Sequence, residues 1–219
     1  MPGGDGDYWD LGQFIFDQVK QFNDDGHFFP AWATCLGYDN IVGYSASAGN
    51  STLDPFSIDT ASLPLKFTVP PFKTRMYEGL GPKAFAFEHH NYTYNSHNWG
   101  VKPETFETDA GLKQFWDVTA VSLMPNNGTA FVASIEAKEY PMFATQFHPE
   151  KPSELWVDGR AINHEWESIE LQRHFSELLV GMARTNENSY GNFKATAPHL
   201  IQNAEVIETE EMADVYVFA

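Results

Sequence analysis

The chain has one cysteine, Cys35, and its neighbours could make it a nucleophile. A short, mostly apolar run from Phe28 to Thr34 leads into it. Leu36-Gly37 and a segment from Tyr38 to Ala46 that can be helical follow it. A nucleophile at a sharp strand-to-helix turn exposes its side chain, while the backbone N–H groups that follow point into the same space. The helix N-terminus also favours the thiolate, the form that attacks a carbonyl carbon. Alone, this segment fits a buried cysteine at the end of a core strand equally well.

A thiol needs a base, and Gln146-Phe147-His148-Pro149-Glu150-Lys151 offers one at the end of an apolar strand. His148 and Glu150 are two residues apart. In an extended segment they point to one face, where the carboxylate can orient the imidazole through its second ring nitrogen. Pro149 between them is expected to keep the segment extended. A His-x-Glu triplet alone says little among eight histidines, but paired with the Cys35 turn it becomes specific. Acyl transfer also needs donors for the developing oxyanion. Pro2-Gly3-Gly4 could supply one from Gly4 beside the N–H of Leu36, although a Gly-Gly pair is more often only a turn. His89-His90 has no companion carboxylate or cysteine pattern, so no metal site and no cofactor are expected.

Several elements must hold these residues. Tyr8 to Phe22 carries Leu11, Phe14, Ile15, Val19 and Phe22 near helical spacing, and Asn23-Asp24-Asp25-Gly26 ends it. The run Phe28–Thr34 reads as a buried parallel strand. Ala48 to Lys83 reads as irregular strands and loops over the surface. Val118–Met124 and Thr129–Ile135 flank Pro125-Asn126-Asn127-Gly128 as a hairpin, and Tyr140–Phe147 supplies another strand. From Glu165 to Arg184 the apolar residues Ile169, Leu171, Phe175, Leu178, Leu179 and Met182 mark a long covering helix. Asn186 to Ala219 is polar until Val215-Tyr216-Val217-Phe218, a candidate terminal strand. The expected organisation is one domain over 1–219, with 186–219 as a C-terminal extension.

Composition excludes several classes. A chain of 219 residues with 42% hydrophobic and 15% aromatic residues has material for a substantial core, so wholesale disorder is not expected. A net charge of −17 would repel a phosphate backbone, so nucleic acid is a poor partner. There is no apolar run long enough to span a bilayer, and the first residues lack the basic and apolar regions of a signal peptide. Three N-glycosylation sequons, at Asn50, Asn91 and Asn127, nevertheless suit a secretory route.

Together these residues resemble the γ-glutamyl hydrolase family, within the wider class I glutamine amidotransferase-like group. The matching pieces are Pro2-Gly3-Gly4, Asp24-Asp25-Gly26, Phe29-Pro30-Ala31-Trp32-Ala33-Thr34-Cys35-Leu36-Gly37-Tyr38, Thr74-Arg75-Met76, and Tyr140-Pro141 through Gln146-Phe147-His148-Pro149-Glu150-Lys151. They stand in the family's order up to about Arg184. The resemblance implies a three-layer α/β/α, flavodoxin-like sheet and hydrolysis of folylpoly-γ-glutamates or similar γ-glutamyl peptides in lysosome, vacuole or extracellular space. It implies Cys35 as nucleophile, His148 as base and later acid, Glu150 as the residue that holds the imidazole, and Gly4 and Leu36 as oxyanion donors. It also brings in His97, in His97-Asn98-Trp99-Gly100-Val101, as a residue near the substrate; otherwise His97 would read as a surface histidine in a polar loop. The expected partner is a small-molecule substrate, with a second copy of the chain as the candidate protein partner and no membrane.

Family members carry strands and helices before the Pro-Gly-Gly turn, whereas this chain begins there. The N-terminal strands are therefore expected to be missing, and the strand leading to Cys35 should lack part of its burial. Two rival functions share these residues: a glutaminase domain that passes ammonia to a partner synthase, and a relative that binds γ-glutamyl chains without cutting them.

Overall fold

Apolar residues at helical spacing in the first and last thirds of the chain, and β-branched and aromatic runs between them, give helices laid on both faces of a mixed sheet. The computed structural model describes residues 6–207 and 215–217. Gly4 lies outside the described residues, as does Phe218. The chain divides into two compact units, Met1–Thr185 and Asn186–Ala219.

In the first unit the helices are α1 (Asp7–Asp24), α2 (Leu36–Ser45), α3 (Ala86–His89), α4 (Pro103–Thr108), α5 (Ala110–Phe115), α6 (Lys151–Glu154) and α7 (Trp166–Ala183). The strands are β1 (Ala31–Thr34), β2 (Asp54–Leu63), β3 (Lys66–Phe67), β4 (Thr93–Gly100), β5 (Trp116–Leu123), β6 (Ala130–Ala137) and β7 (Met142–Thr145). The main sheet has the order β1-β7-β6-β5-β3. β1 runs parallel to β7, and the other pairs are antiparallel. β2 and β4 form a separate antiparallel pair.

Strand alternation distributes two cores. On β7, Met142 and Ala144 join Phe16 and Val19 of α1 and Tyr38, Ile41 and Val42 of α2. Phe143 points the other way, into a cluster with Leu171 and Phe175 of α7 and with Met76, Tyr77 and Phe87. β1 follows the same rule, with Ala31 and Ala33 against the first cluster and Trp32 against the second. A third, smaller cluster joins Phe56, Ile58 and Leu63 of β2 to Met124 and Phe131.

One expectation is met and one needs correction. β1 is a parallel strand that lacks the full burial of an inner strand, as expected of the strand leading to Cys35. It pairs only with β7 among the described residues, and all four of its residues are half-buried. Groove-lining residues of α1 beside it remain exposed, among them Leu11 at 58% and Ile15 at 52%. The region from Ala48 to Lys83 is not mainly surface, because Phe56, Ile58, Leu63, Leu65, Met76 and Tyr77 are all core residues. Its Ser, Thr, Pro and Gly content hid short apolar pieces whose partners are distant in sequence.

Arg75 and Glu136 pin that region to the sheet. Glu136 accepts from the backbone N–H groups of Arg75 at 3.3 Å and Met76 at 3.0 Å. The Arg75 guanidinium donates to the Tyr140 carbonyl at 3.0 Å and to the Ala137 carbonyl, and lies 5.2 Å from the centre of the Phe143 ring. Met76 is fully buried, so removing its acceptor leaves an N–H with no water to turn to. Glu136→Ala is expected to destabilise the chain by about 2–4 kcal/mol in urea unfolding. A change below about 0.5 kcal/mol would show that this clamp is dispensable.

In the second unit, α8 (Phe193–Thr196) precedes β8 (Glu205–Ile207), which pairs antiparallel with β9 (Val215–Val217). The terminal strand therefore has a partner, β8, inside the stretch that reads as polar.

Candidate active site

Cys35 sits between β1 and α2 with φ 53° and ψ −107°. It is the one non-glycine residue with positive φ among the described residues. That backbone costs about 1–3 kcal/mol and persists only where neighbours over-determine it. Here its N–H donates to the Thr145 carbonyl at 2.8 Å, extending the β1–β7 pairing by one residue, while its carbonyl accepts from Asp39 N–H at 3.0 Å to start α2. The strand and the helix each fix one side of the residue, and the side chain is left half-buried at the turn. Leu36 is the first residue of α2, so its N–H is one of those the helix cannot satisfy internally.

His148 and Glu150 arrive from the end of β7. The His148 N–H donates to the Tyr94 carbonyl at 2.8 Å, which fixes the backbone, and ring Nδ1 lies 2.7 Å from Glu150 Oε1. The Cys35 side chain is near enough to the imidazole to bear on its charge. Burial works against the imidazolium, but the hydrogen bonds and charges of Cys35 and Glu150 outweigh it and hold the pKa of His148 at about 9. For Glu150, burial raises the pKa, yet its contacts with His148 and with Lys151, whose Nζ is 3.7 Å away, bring it below the ordinary carboxylate range.

The His148–Glu150 contact is made by a turn, not by an extended segment. β7 ends at Thr145, Pro149 lies in the turn, and Glu150 has helical backbone angles as the residue that opens α6. Proline is well suited to φ near −65° in such a turn, so it bends the chain here instead of straightening it.

β4 forms the opposite wall. The Ser96 carbonyl is 3.7 Å from Cys35 Sγ. His97, next along, is only 7% exposed and packs on Phe131 with ring centres 5.3 Å apart. It is therefore a buried strand residue and not a surface histidine in a polar loop. Burial, with the nearby charge of His148 acting in the same direction, lowers its pKa to about 4, so it is neutral at any ordinary pH.

The structure thus brings Cys35, Leu36, His148, Glu150 and His97 to one end of the sheet. Two residues that sequence reasoning did not single out belong to the same place. Tyr94 supplies the carbonyl that holds His148, and its ring centre is 6.2 Å from the imidazole. Asp39, one turn after Cys35 on α2, is 4% exposed, and burial raises its pKa to about 7, with the Gln146 amide opposing that rise. An acidic residue one helical turn from the cysteine was the available signal for Asp39. Tyr94 offered none, because its part depends on the pairing of β4. Among the described residues no group of three His, Cys, Asp or Glu side chains could hold a metal ion.

No family model matches the chain. Homologues named γ-glutamyl hydrolase match it across its whole length. It is 28% identical to gamma-glutamyl hydrolase B of Dictyostelium discoideum, with 100% of this chain and 65% of that protein covered. It is 29% identical to the gamma-glutamyl hydrolase of Mus musculus, with 95% and 67% covered, and 26% identical to that of Homo sapiens, with 100% and 70% covered. The chain spans about two thirds of the length of these relatives. Among solved structures, the glutaminase domain of Trypanosoma brucei CTPS with bound acivicin superposes with a TM-score of 0.51 at 14% identity, covering 86% of this chain and 71% of that one. The fold is class I glutamine amidotransferase-like.

Proposed function

We propose that this chain hydrolyses γ-glutamyl amide bonds through Cys35, with folylpoly-γ-glutamates as the substrate class. The observation that carries this reading is the positive-φ Cys35 turn beside an imidazole that Glu150 holds at 2.7 Å. It gains weight because homologues named γ-glutamyl hydrolase cover the whole chain.

In this reading His148 takes the thiol proton, as its raised pKa favours. The sulfur attacks the γ-carbonyl carbon, a C–S bond forms, and the carbonyl oxygen becomes an oxyanion that the Leu36 N–H can receive, with Gly4, outside the described residues, as the second donor of this proposal. The His148 imidazolium gives its proton to the departing nitrogen as the C–N bond breaks. Water then enters, His148 takes its proton, and the hydroxide oxygen displaces the sulfur to release the carboxylate. Glu150 keeps the imidazole oriented and stabilises its charge throughout. His97 follows Ser96, whose carbonyl meets Cys35 Sγ, and Asp39 is one turn after Cys35; burial keeps both uncharged in a mildly acidic lumen. We place the protein in lysosome, vacuole or extracellular space; exposed sequon residues at Asn91 and Asn127 support that route.

Offered γ-glutamylglutamate, α-glutamylglutamate and free glutamine, the protein is expected to cleave the first at least about 100-fold faster than the others, by amino-acid and ammonia release. Preferential ammonia release from glutamine would assign it to the glutaminases instead.

A further inference from the structure

Trp156 is 67% exposed, yet it is not loose. Its ring stacks on His164 with centres 3.8 Å apart and planes 16° from parallel. The indole N–H donates to the Ser153 carbonyl at 3.3 Å, so what faces outward is an aromatic face, not a polar edge. His164 is fixed in turn by a 2.9 Å hydrogen bond between Nδ1 and the Pro152 carbonyl. A large aromatic side chain ordinarily stabilises a protein by being buried. Here the fold orders one and leaves it open.

The loop that carries the pair is tied to the walls of the site at both ends. It starts from α6, which Glu150 opens. At its far end Ala161 N–H donates to Thr60 Oγ1 at 2.8 Å, and Ser62 Oγ donates to the Ala161 carbonyl at 2.6 Å. Thr60 Oγ1 also meets Tyr94 OH at 3.4 Å, and the Tyr94 ring lies against His148. The aromatic platform is therefore held at the rim of the His148 side of the site. Glu154, Asp158 and Glu165 lie along this segment and disfavour a carboxylate there. Arg160, the loop's cation, has Asp59 Oδ1 within 3.7 Å. An uncharged flat ring fits this surface better than a charged chain.

We propose that the Trp156–His164 stack is a subsite for an uncharged aromatic group attached to the γ-glutamyl substrate, an assignment that rests on the γ-glutamyl hydrolase reading of the neighbouring residues. The ligand's ring stacks on the open face of Trp156, and its glutamyl carboxylates lie elsewhere.

The test measures binding separately from cleavage. Two peptides, N-(4-nitrobenzoyl)-γ-glutamylglutamate and N-acetyl-γ-glutamylglutamate, are titrated calorimetrically against the Cys35→Ala protein, which holds turnover off. The aryl peptide is expected to bind about fivefold to tenfold more tightly, as one stacked ring contributes. Trp156→Ala should remove that preference and leave the affinity for the acetyl peptide unchanged. Trp156→Phe should keep most of the preference, and His164→Ala should reduce it. The nitrobenzoyl group should also quench tryptophan fluorescence more strongly with Trp156 present than in Trp156→Phe, which keeps the other five tryptophans. No aryl preference in the parent, or one that survives Trp156→Ala, would overturn the proposal. Absence of cleavage of either peptide by the unsubstituted protein would count against the hydrolase reading alone, because the binding preference is read without turnover.

Discussion

Cys35→Ser is expected to lower kcat on γ-glutamylglutamate by a factor on the order of 10⁴ or more while leaving thermal unfolding within about 2 °C of the parent. The two halves of that expectation have separate causes. Serine and cysteine differ little in volume, and Cys35 is held in its unusual conformation by backbone hydrogen bonds to Thr145 and Asp39, which the substitution does not touch. The hydroxyl, however, is far less ionised than a thiol partnered with His148, so the attacking form is nearly absent. Retained activity with full alkylation of Cys35 by iodoacetamide would remove the thiol from the mechanism.

The second large effect separates the two partners of the thiol. His148→Asn removes the group that carries the proton and should cost on the order of 10²–10⁴ in kcat/KM. Glu150→Gln leaves an amide oxygen that can still accept from Nδ1–H, so orientation is kept and the loss should be about tenfold smaller. The pH profile distinguishes their roles. His148 has a pKa raised to about 9, so its protonated form is present below that value and is lost as the pH rises through it. Activity that needs an imidazolium to protonate the departing nitrogen should fall along the same limb. Glu150→Gln removes one cause of the raised pKa, and the limb should move toward lower pH. An unchanged alkaline limb in Glu150→Gln would separate that carboxylate from the proton transfer.

Much of this site could be read from residue order, and the reasons are local. Cys35 between an apolar run and a helical segment defines its own turn, and the pairing of β1 with β7 places His148 close by. The Asn127-Gly128 pair marked the hairpin, with Gly128 at φ 72° between β5 and β6. The spacing of Leu171 and Phe175 marked α7, where both are buried. Non-local pairing was not legible. β2 meets β4 across a long excursion with register irregularities between Pro55 and Ile58 and between Ile58 and Ala61, which break the alternation that would have announced a strand. His97, opposite Ile58 in that pair, consequently read as a loop residue. The turn at Pro149 is not legible in the sequence because proline suits extended and turn backbones alike, and only the start of α6 decides between them. The resemblance to γ-glutamyl hydrolases supplied His97, which neither spacing nor composition indicated.

The central claim is a covalent γ-glutamyl thioester on Cys35, and rapid acid quenching followed by intact-mass analysis reads it directly. Mixing the protein with excess γ-glutamyl peptide and quenching within the first turnover should show a species heavier than the parent by one γ-glutamyl acyl group. Peptide mapping should place the added mass on the fragment containing Cys35, and hydroxylamine should remove it. Product formation at full rate with no adduct at any quench time, in a protein whose Cys35→Ser variant turns over as fast as the parent, would contradict the account.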